Sequence, residues 1–159
     1  MKLLVISTIW VEPQSSAAGS RMLQLLNLFI EQDWEIIYTS TASASQHAFD
    51  LSVLGIKVTN IKVNDTSFDS FVKKYQPTVV LYDRFMAEEQ FSWRVIEQCP
   101  DAFQLLDTED LHCLRKAREQ AVRKQLPFKN EDLLSDIAKR EIASIYRCCL
   151  LYTSPSPRD

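Results

Sequence analysis

Short apolar runs at 3–7, 35–40, 56–63, 78–82 and 102–106 alternate with amphipathic stretches along most of this chain, and that alternation constrains the fold more than any other feature. Runs of this length suit buried strands, and the segments between them, with apolar residues near helical spacing, suit helices that cross from one parallel strand to the next. The predicted helices cover 21–32, 45–54, 67–75, 87–98, 109–124 and 131–147, the last carrying Leu134, Ile137, Ala138, Ile142 and Ile145, with Asn130 as its expected cap. The fold class expected is α/β, a doubly wound parallel sheet with flanking helices. Pro77 falls just before a predicted strand and Pro100 just after a predicted helix, so neither marks a domain boundary. No internal repeat or linker interrupts the pattern, and 1–148 reads as one domain.

In sheets of this kind ligands gather at the carboxyl ends of the strands, where the strand order reverses. The residues that follow each predicted strand are therefore the candidates. After the first strand comes a loop of small side chains, Ser15-Ser16-Ala17-Ala18-Gly19-Ser20-Arg21, leading into a helix with Met22, Leu25, Leu26, Phe29 and Ile30 on its apolar face. Only two glycines, Gly19 and Gly55, occur in 159 residues, against roughly 7% in average usage, so a glycine beside a helix start carries weight. Ser20 is the expected N-cap, and backbone amides there, helped by the helix dipole, suit a phosphorylated ligand. A tight turn that binds nothing is the alternative. Neither the G-x-G-x-x-G of a dinucleotide site nor the Gly-Lys-Ser/Thr of a P-loop is present, which argues against NAD and ATP.

After the fourth strand stand Asp83 and Arg84, and after the fifth Asp107, Thr108, Glu109 and Asp110, with His112 a few residues on. Arg84 can grip a phosphate or carboxylate bidentately, or instead pair with Asp83 or Glu88. Asp107, Glu109 and Asp110 either stabilise a helix start or hydrogen-bond sugar hydroxyls, and Asp107-Thr108-Glu109 also imitates a D-x-D cation site. His112 is either a packing residue or a substrate contact. Arg115, Lys116, Arg118, Arg123 and Lys124 line one predicted helix, either as a solvated face or as a contact for an anionic membrane or acceptor.

A formal net charge of −3 without a basic run excludes nucleic acid as the expected partner. The apolar run at the start is too short for a signal peptide or membrane span, so a cytoplasmic protein, at most peripheral at the membrane's inner face, is expected. Cys99, Cys113, Cys148 and Cys149 lack metal-ligand spacing, and His47 and His112 stand alone, so no metal is expected and the thiols read as reduced and structural.

Cys149 to Asp159 departs from everything before it. Each residue of that segment matches the translation of a transposase adapter used in preparing sequencing libraries, which it closely resembles. It is therefore set aside from the expected fold as non-native, with native sequence expected to stop at Cys148 and the protein to continue beyond it.

Taken together, Lys2-Leu3-Leu4-Val5-Ile6-Ser7, the loop from Pro13 to Arg21 with its Leu-rich helix, Asp83-Arg84-Phe85, and Leu106-Asp107-Thr108-Glu109-Asp110-Leu111-His112 with Arg115 resemble the amino-terminal half of a GT-B glycosyltransferase. The likeness is to bacterial retaining enzymes of the group 1, or family 4, type. It implies one Rossmann-like half of a two-domain fold, whose missing carboxyl-terminal domain would hold most of a nucleotide-diphosphate sugar. That donor is a substrate, and no cofactor is implied. The acceptor implied is a glycan or a lipid-linked sugar. The resemblance makes Gly19, Ser20 and Arg21 donor-phosphate residues, although Ala17 and Ala18 stand where the family often has glycine. It makes Arg84, Asp107, Glu109 and His112 substrate-binding candidates, with His112 the candidate for a catalytic contact to the transferred sugar. Transfer would pass through an oxocarbenium-like state, with the leaving diphosphate stabilised by amides, basic residues and a helix dipole. Two other readings remain: a metal-dependent GT-A enzyme using Asp107-Thr108-Glu109, and a stand-alone α/β binding or signalling domain. A receiver domain would want acidic residues after the first strand, where this chain has Ser7-Thr8-Ile9.

Overall fold

Strand order in the computed structural model is β3-β2-β1-β4-β5-β6, and every neighbouring pair is parallel. The structure describes residues 1–43 and 45–153. The strands are β1 (Lys2–Ser7), β2 (Glu35–Ser40), β3 (Lys57–Asn60), β4 (Val79–Asp83), β5 (Phe103–Asp107) and β6 (Leu150–Tyr152). The helices are α1 (Ala17–Ile30), α2 (Thr66–Tyr75), α3 (Phe85–Gln98), α4 (His112–Arg123) and α5 (Asp136–Arg147). From β1 the chain winds outward to β3, returns to the far side of β1 with β4, and winds outward again. The order therefore reverses between β1 and β4, as in a Rossmann-like doubly wound sheet.

Strand alternation divides the core between the two faces. Leu4, Ile6, Val80, Tyr82 and Leu106 pack with Phe68 and Val72 of α2 and with Ala87, Phe91 and Val95 of α3. Leu3, Val5, Ile36, Tyr38, Leu81 and Leu105 pack with Met22 and Leu26 of α1 and with Leu51 and Ile56. Both faces of β1 and β4 are covered, which is why those strands read as continuous apolar runs rather than as alternating ones.

Several helix boundaries differ from expectation. The first helix begins at Ala17, four residues before 21, because Ser16 and not Ser20 is its N-cap: the Ser16 hydroxyl accepts the Gly19 N–H at 3.0 Å. Of the helix expected over 45–54, only a 3-10 turn at Leu51–Leu54 forms, started by Asp50 accepting from the Ser52 N–H and stopped by Gly55 in the left-handed region. The helix expected from 131 divides into a 3-10 turn at Asn130–Leu133 and α5, whose cap is Ser135 rather than Asn130.

The segment set aside by sequence also enters the fold. Leu150–Tyr152 pairs with β5, Leu105 opposite Leu150 and Asp107 opposite Tyr152, and the Cys149 N–H donates to the Gln104 carbonyl. Leu-Leu-Tyr is good strand material, and without it the ladder groups on the outer edge of β5 would be unpaired. All three residues of this edge strand remain exposed. Residues 154–159 lie outside the described residues.

Candidate functional site

The reversal between β1 and β4 places the ends of β1, β4 and β5 side by side, and each contributes a polar residue to one buried cluster. Ser7 closes β1 and donates its hydroxyl to Asp83 Oδ2 at 2.6 Å. Asp83 and Asp107 close β4 and β5 and stand directly opposite each other in the ladder. Both are buried, Asp107 completely. From α1, Arg21 reaches across the strand ends, its Nη2 2.9 Å from Asp107 Oδ1. That same oxygen accepts the Glu109 N–H at 3.1 Å, which fixes the turn after β5.

Arg84 joins β4 to α3 with φ 73°, a conformation that costs a non-glycine residue free energy and that clusters at functional sites. Its N–H donates to the Asp107 carbonyl at 2.7 Å, so the strain is held by the neighbouring strand. Its Nε lies 3.9 Å from Asp83 Oδ1. Of the two salt bridges considered for Arg84, this is the one formed, because Glu88 is taken by Arg147, with Nε–Oε1 at 2.7 Å. Glu109 also has positive φ, 61°.

Too few hydrogen-bond partners are present for this many buried polar groups. Among the described residues, the buried side-chain atoms without a hydrogen bond include Arg21 Nε and Nη1, Asp83 Oδ1, Asp107 Oδ2 and Glu109 Oε1, all from this one cluster. Each such atom costs about 1–3 kcal/mol when left unmatched, so their concentration marks a place where polar partners from outside the chain would be stabilising. Electrostatics agree with the geometry. Burial pushes the Asp107 carboxyl above its ordinary range, against the opposing pull of the Glu109 amide and Arg21. Burial, then the charges of Asp107 and Asp83, push Glu109 up as well. Burial and next Asp83 hold the Tyr38 hydroxyl un-ionised.

The residues singled out by sequence are therefore only partly brought together. Arg21, Arg84, Asp107 and Glu109 meet at the strand ends. Gly19 does not: it lies buried within α1, and a Cβ there would come within 2.4 Å of the Glu12 carbonyl group. Its amide already serves Ser16, so the expectation that Gly19 offers a free N–H to phosphate is corrected. Glycine is needed here for close packing of the helix on the loop. Ser20 turns back to the same loop, its hydroxyl donating to the Pro13 carbonyl at 2.8 Å. The first-turn amides without an intrahelical acceptor belong to Ala17 and Ala18.

His112 belongs to a neighbouring group. It is buried at the start of α4, edge-on to Phe85 at 5.4 Å, with Nδ1 3.4 Å from Asp110 Oδ1 and 3.7 Å from Glu141 Oε1. No side chain near Leu111 caps α4. Glu141 of α5 does so from a distance, accepting the His112 N–H at 2.8 Å and the Cys113 N–H at 2.9 Å. None of Asp107, Glu109 and Asp110 caps α4 with its side chain, and Asp110 stands just before the helix beside His112. Sequence reasoning marked Asp83 by its place at a strand end but missed Ser7 and Glu141. Ser7 could have been found as the last polar residue of an apolar strand, whereas nothing in the local sequence of α5 points to a contact with α4.

Among the described residues no three His, Cys, Asp or Glu side chains group as a metal site. The basic stripe on α4 is partly paired on the surface, Arg115 with Asp110 at 2.9 Å and Lys116 with Glu119 at 2.8 Å. No helix among the described residues is long and apolar enough to cross a membrane. A concavity of about 670 Å³ lies away from the cluster, along Trp10, Phe49, Leu51 and Val58, and it gathers no buried charged groups.

No protein-family model matches the sequence, and no curated protein matches it. Solved structures do. An α-glucosyltransferase in complex with UDP and a DNA 13-mer superposes with a TM-score of 0.54 at 8% identity, over 96% of this chain and 37% of that one. WbmH of Bordetella bronchiseptica, in complex with NAD+, superposes with a TM-score of 0.55 at 15% identity, over 96% of this chain and 55% of that one. The chain thus spans about a third to a half of the proteins it resembles in structure. At these identities the likeness is one of fold, and what the chain shares with both enzymes is a Rossmann-like α/β domain.

Proposed function

We propose that this chain is the amino-terminal, acceptor-side domain of a two-domain glycosyltransferase that moves a sugar from a nucleotide-diphosphate sugar to a glycan or lipid-linked acceptor. The observation that carries the reading is the polar cluster at the switch point, where Arg21, Asp83, Asp107 and Glu109 present unmatched donors and acceptors beside Arg84. The fold likeness to the UDP-bound glucosyltransferase supports it. For donor phosphate, the α1 start offers the Ala17 and Ala18 amides rather than that of Gly19. His112, buried beside Asp110 and Glu141, stays the candidate for a sugar contact.

The fold likeness to the NAD+-bound WbmH favours a second reading, a dinucleotide-binding domain. Against it, the loop between β1 and α1 has no glycine before Gly19, and Gly19 is sealed against Glu12. A metal-dependent transferase would need Asp107 for its cation, whereas Arg21 holds that carboxylate. The reading of residues 149–159 as adapter-derived rests on the sequence match alone, and sequencing the gene past Cys148 tests it.

The deciding experiment compares UDP-sugars with NAD+ as ligands by calorimetry, and assays sugar transfer with this chain alone and joined to a carboxyl-terminal domain recovered from the gene. UDP-sugar transfer by the joined protein and none by the chain alone is expected. NAD+ binding in preference to any UDP-sugar, or turnover of a sugar nucleotide by this chain alone, would overturn the reading.

A further inference from the structure

We infer that the floor of the strand-end cluster is a polyol site: Asp83 and Asp107 receive the hydroxyl hydrogens of a vicinal diol, and Arg21 acts as the counter-ion of Asp107 rather than as a phosphate ligand. The inference rests on placing the substrate site at the strand ends, as proposed above, and specifies which part of a substrate the floor takes.

Three properties carry it. First, Asp83 Oδ1 and Asp107 Oδ2 belong to side chains that are 4% and 0% exposed, and neither oxygen has a hydrogen-bond donor. Their residues are paired across β4 and β5, which brings the two carboxylates to the same end of the sheet. Two buried acceptors on neighbouring strands suit two neighbouring hydroxyls. Second, the charge balance favours neither sign of ion. With Glu109 turned out to solvent, Asp83 and Asp107 are matched by Arg84 and Arg21, so a phosphate would meet two carboxylates and an ammonium group two guanidinium groups. A neutral ligand that both donates and accepts avoids both penalties, since its hydroxyl oxygens can accept from Arg21 Nε and Nη1, which lack hydrogen-bond acceptors although the guanidinium rests over the Tyr152 ring, 4.6 Å from its centroid.

Third, the neighbouring anion position is already filled. The amides that open α4, the ready site for a phosphate after β5, are taken by Glu141. The unmatched atoms are sealed from solvent, so entry of a diol requires the Glu109 side chain to swing outward, with its N–H remaining on Asp107 Oδ1. Glu109 then exchanges its crowded position beside Asp107 and Asp83 for water.

Amide NMR spectra of the 159-residue chain, titrated at millimolar concentrations with methyl glycosides of glucose, galactose, mannose and N-acetylglucosamine, and separately with inorganic phosphate and pyrophosphate, test the inference. At least one glycoside is expected to shift the amides of Ser7, Asp83, Arg84, Asp107 and Glu109, and the phosphates to leave them in place. Asp83→Asn and Asp107→Asn should each weaken that binding about tenfold, since one charged acceptor is lost. Should either variant fail to fold, the wild-type contrast between glycoside and phosphate decides alone. Phosphate shifting these amides while the glycosides do not, or no response to any probe because the cluster holds ordered water only, would overturn it. Glycoside binding without sugar transfer by the joined protein would remove the transferase reading and leave this one standing, and transfer with phosphate-type shifts would do the reverse.

Discussion

The Glu141 carboxylate, on α5, accepts the backbone N–H groups of both His112 and Cys113 and so caps a helix that begins 29 residues earlier. It is almost completely buried. Burial alone would raise its pKa and is the largest single influence, but hydrogen bonds from His112 and Cys113 together outweigh it and hold the carboxyl at about 2. The same helix reaches α3 through Arg147 and Glu88, and through the Ser144 hydroxyl on the Phe85 carbonyl at 3.4 Å. α5 is thereby a brace on the two helices that leave β4 and β5.

Glu141 should dominate the acid limb of the stability curve. Its folded pKa of about 2 lies below the ordinary 4.5, so its contribution is fully present above the ordinary value and is lost as pH falls toward 2. A shift of that size corresponds to on the order of 3 kcal/mol. Glu141→Gln should lower stability at pH 7 by about 2 kcal/mol and flatten the fall between pH 4.5 and 2, as followed by urea unfolding across pH. An unchanged acid limb in the variant would show that the cap is not the source.

Glu109 should act in the opposite sense. Its folded pKa is raised by burial and by Asp107 and Asp83, so the folded state binds its proton more tightly than the unfolded chain does. Stability is lost as pH rises from the ordinary carboxylate value through the raised one. Glu109→Gln should therefore raise the urea midpoint at pH 7 and give a smaller gain at pH 4. A midpoint that drops at pH 7 would mean that Glu109 stabilises the turn after β5 instead.

At the start of α1, Ser16 and Gly19 should matter and Ser20 should matter less. Ser16→Ala removes the cap at a cost of about 1 kcal/mol. Gly19→Ala forces a methyl group toward the Glu12 backbone and should cost about 1–3 kcal/mol through displacement of the loop. Thermal melts of the three alanine variants give the ranking, and Ser20→Ala proving the most damaging of them would restore it as the cap.

A chain ending at Cys148 removes β6 and leaves the β5 edge without a ladder partner. Because β6 is exposed along its length, little core is lost with it. The shortened chain should stay folded by circular dichroism yet self-associate at lower concentration in size-exclusion chromatography. Monomeric behaviour equal to that of the full chain would show that the edge is protected by other means.

The parallel α/β architecture was legible because it is written locally. Leu3 to Ile6 and Val79 to Tyr82 are apolar without a break, as strands covered on both faces must be, and the amphipathic segments between strands make crossovers the economical connection. The strand ends could likewise be marked in advance, so Arg21, Arg84, Asp107 and Glu109 were candidates from the chain alone. Tertiary structure decided which of them meet and what they do. Asp83 and Asp107 lie 24 positions apart, and only the β4–β5 register sets them opposite each other. Gly19 looked like a ligand-loop glycine until the fold brought Glu12 against its Cα, and a carboxylate on α5 replaced every local candidate as the cap of α4. Periodicity and turn chemistry depend on neighbours in sequence, whereas burial, capping at a distance and charge balance depend on neighbours in space, which no local pattern in this chain encodes.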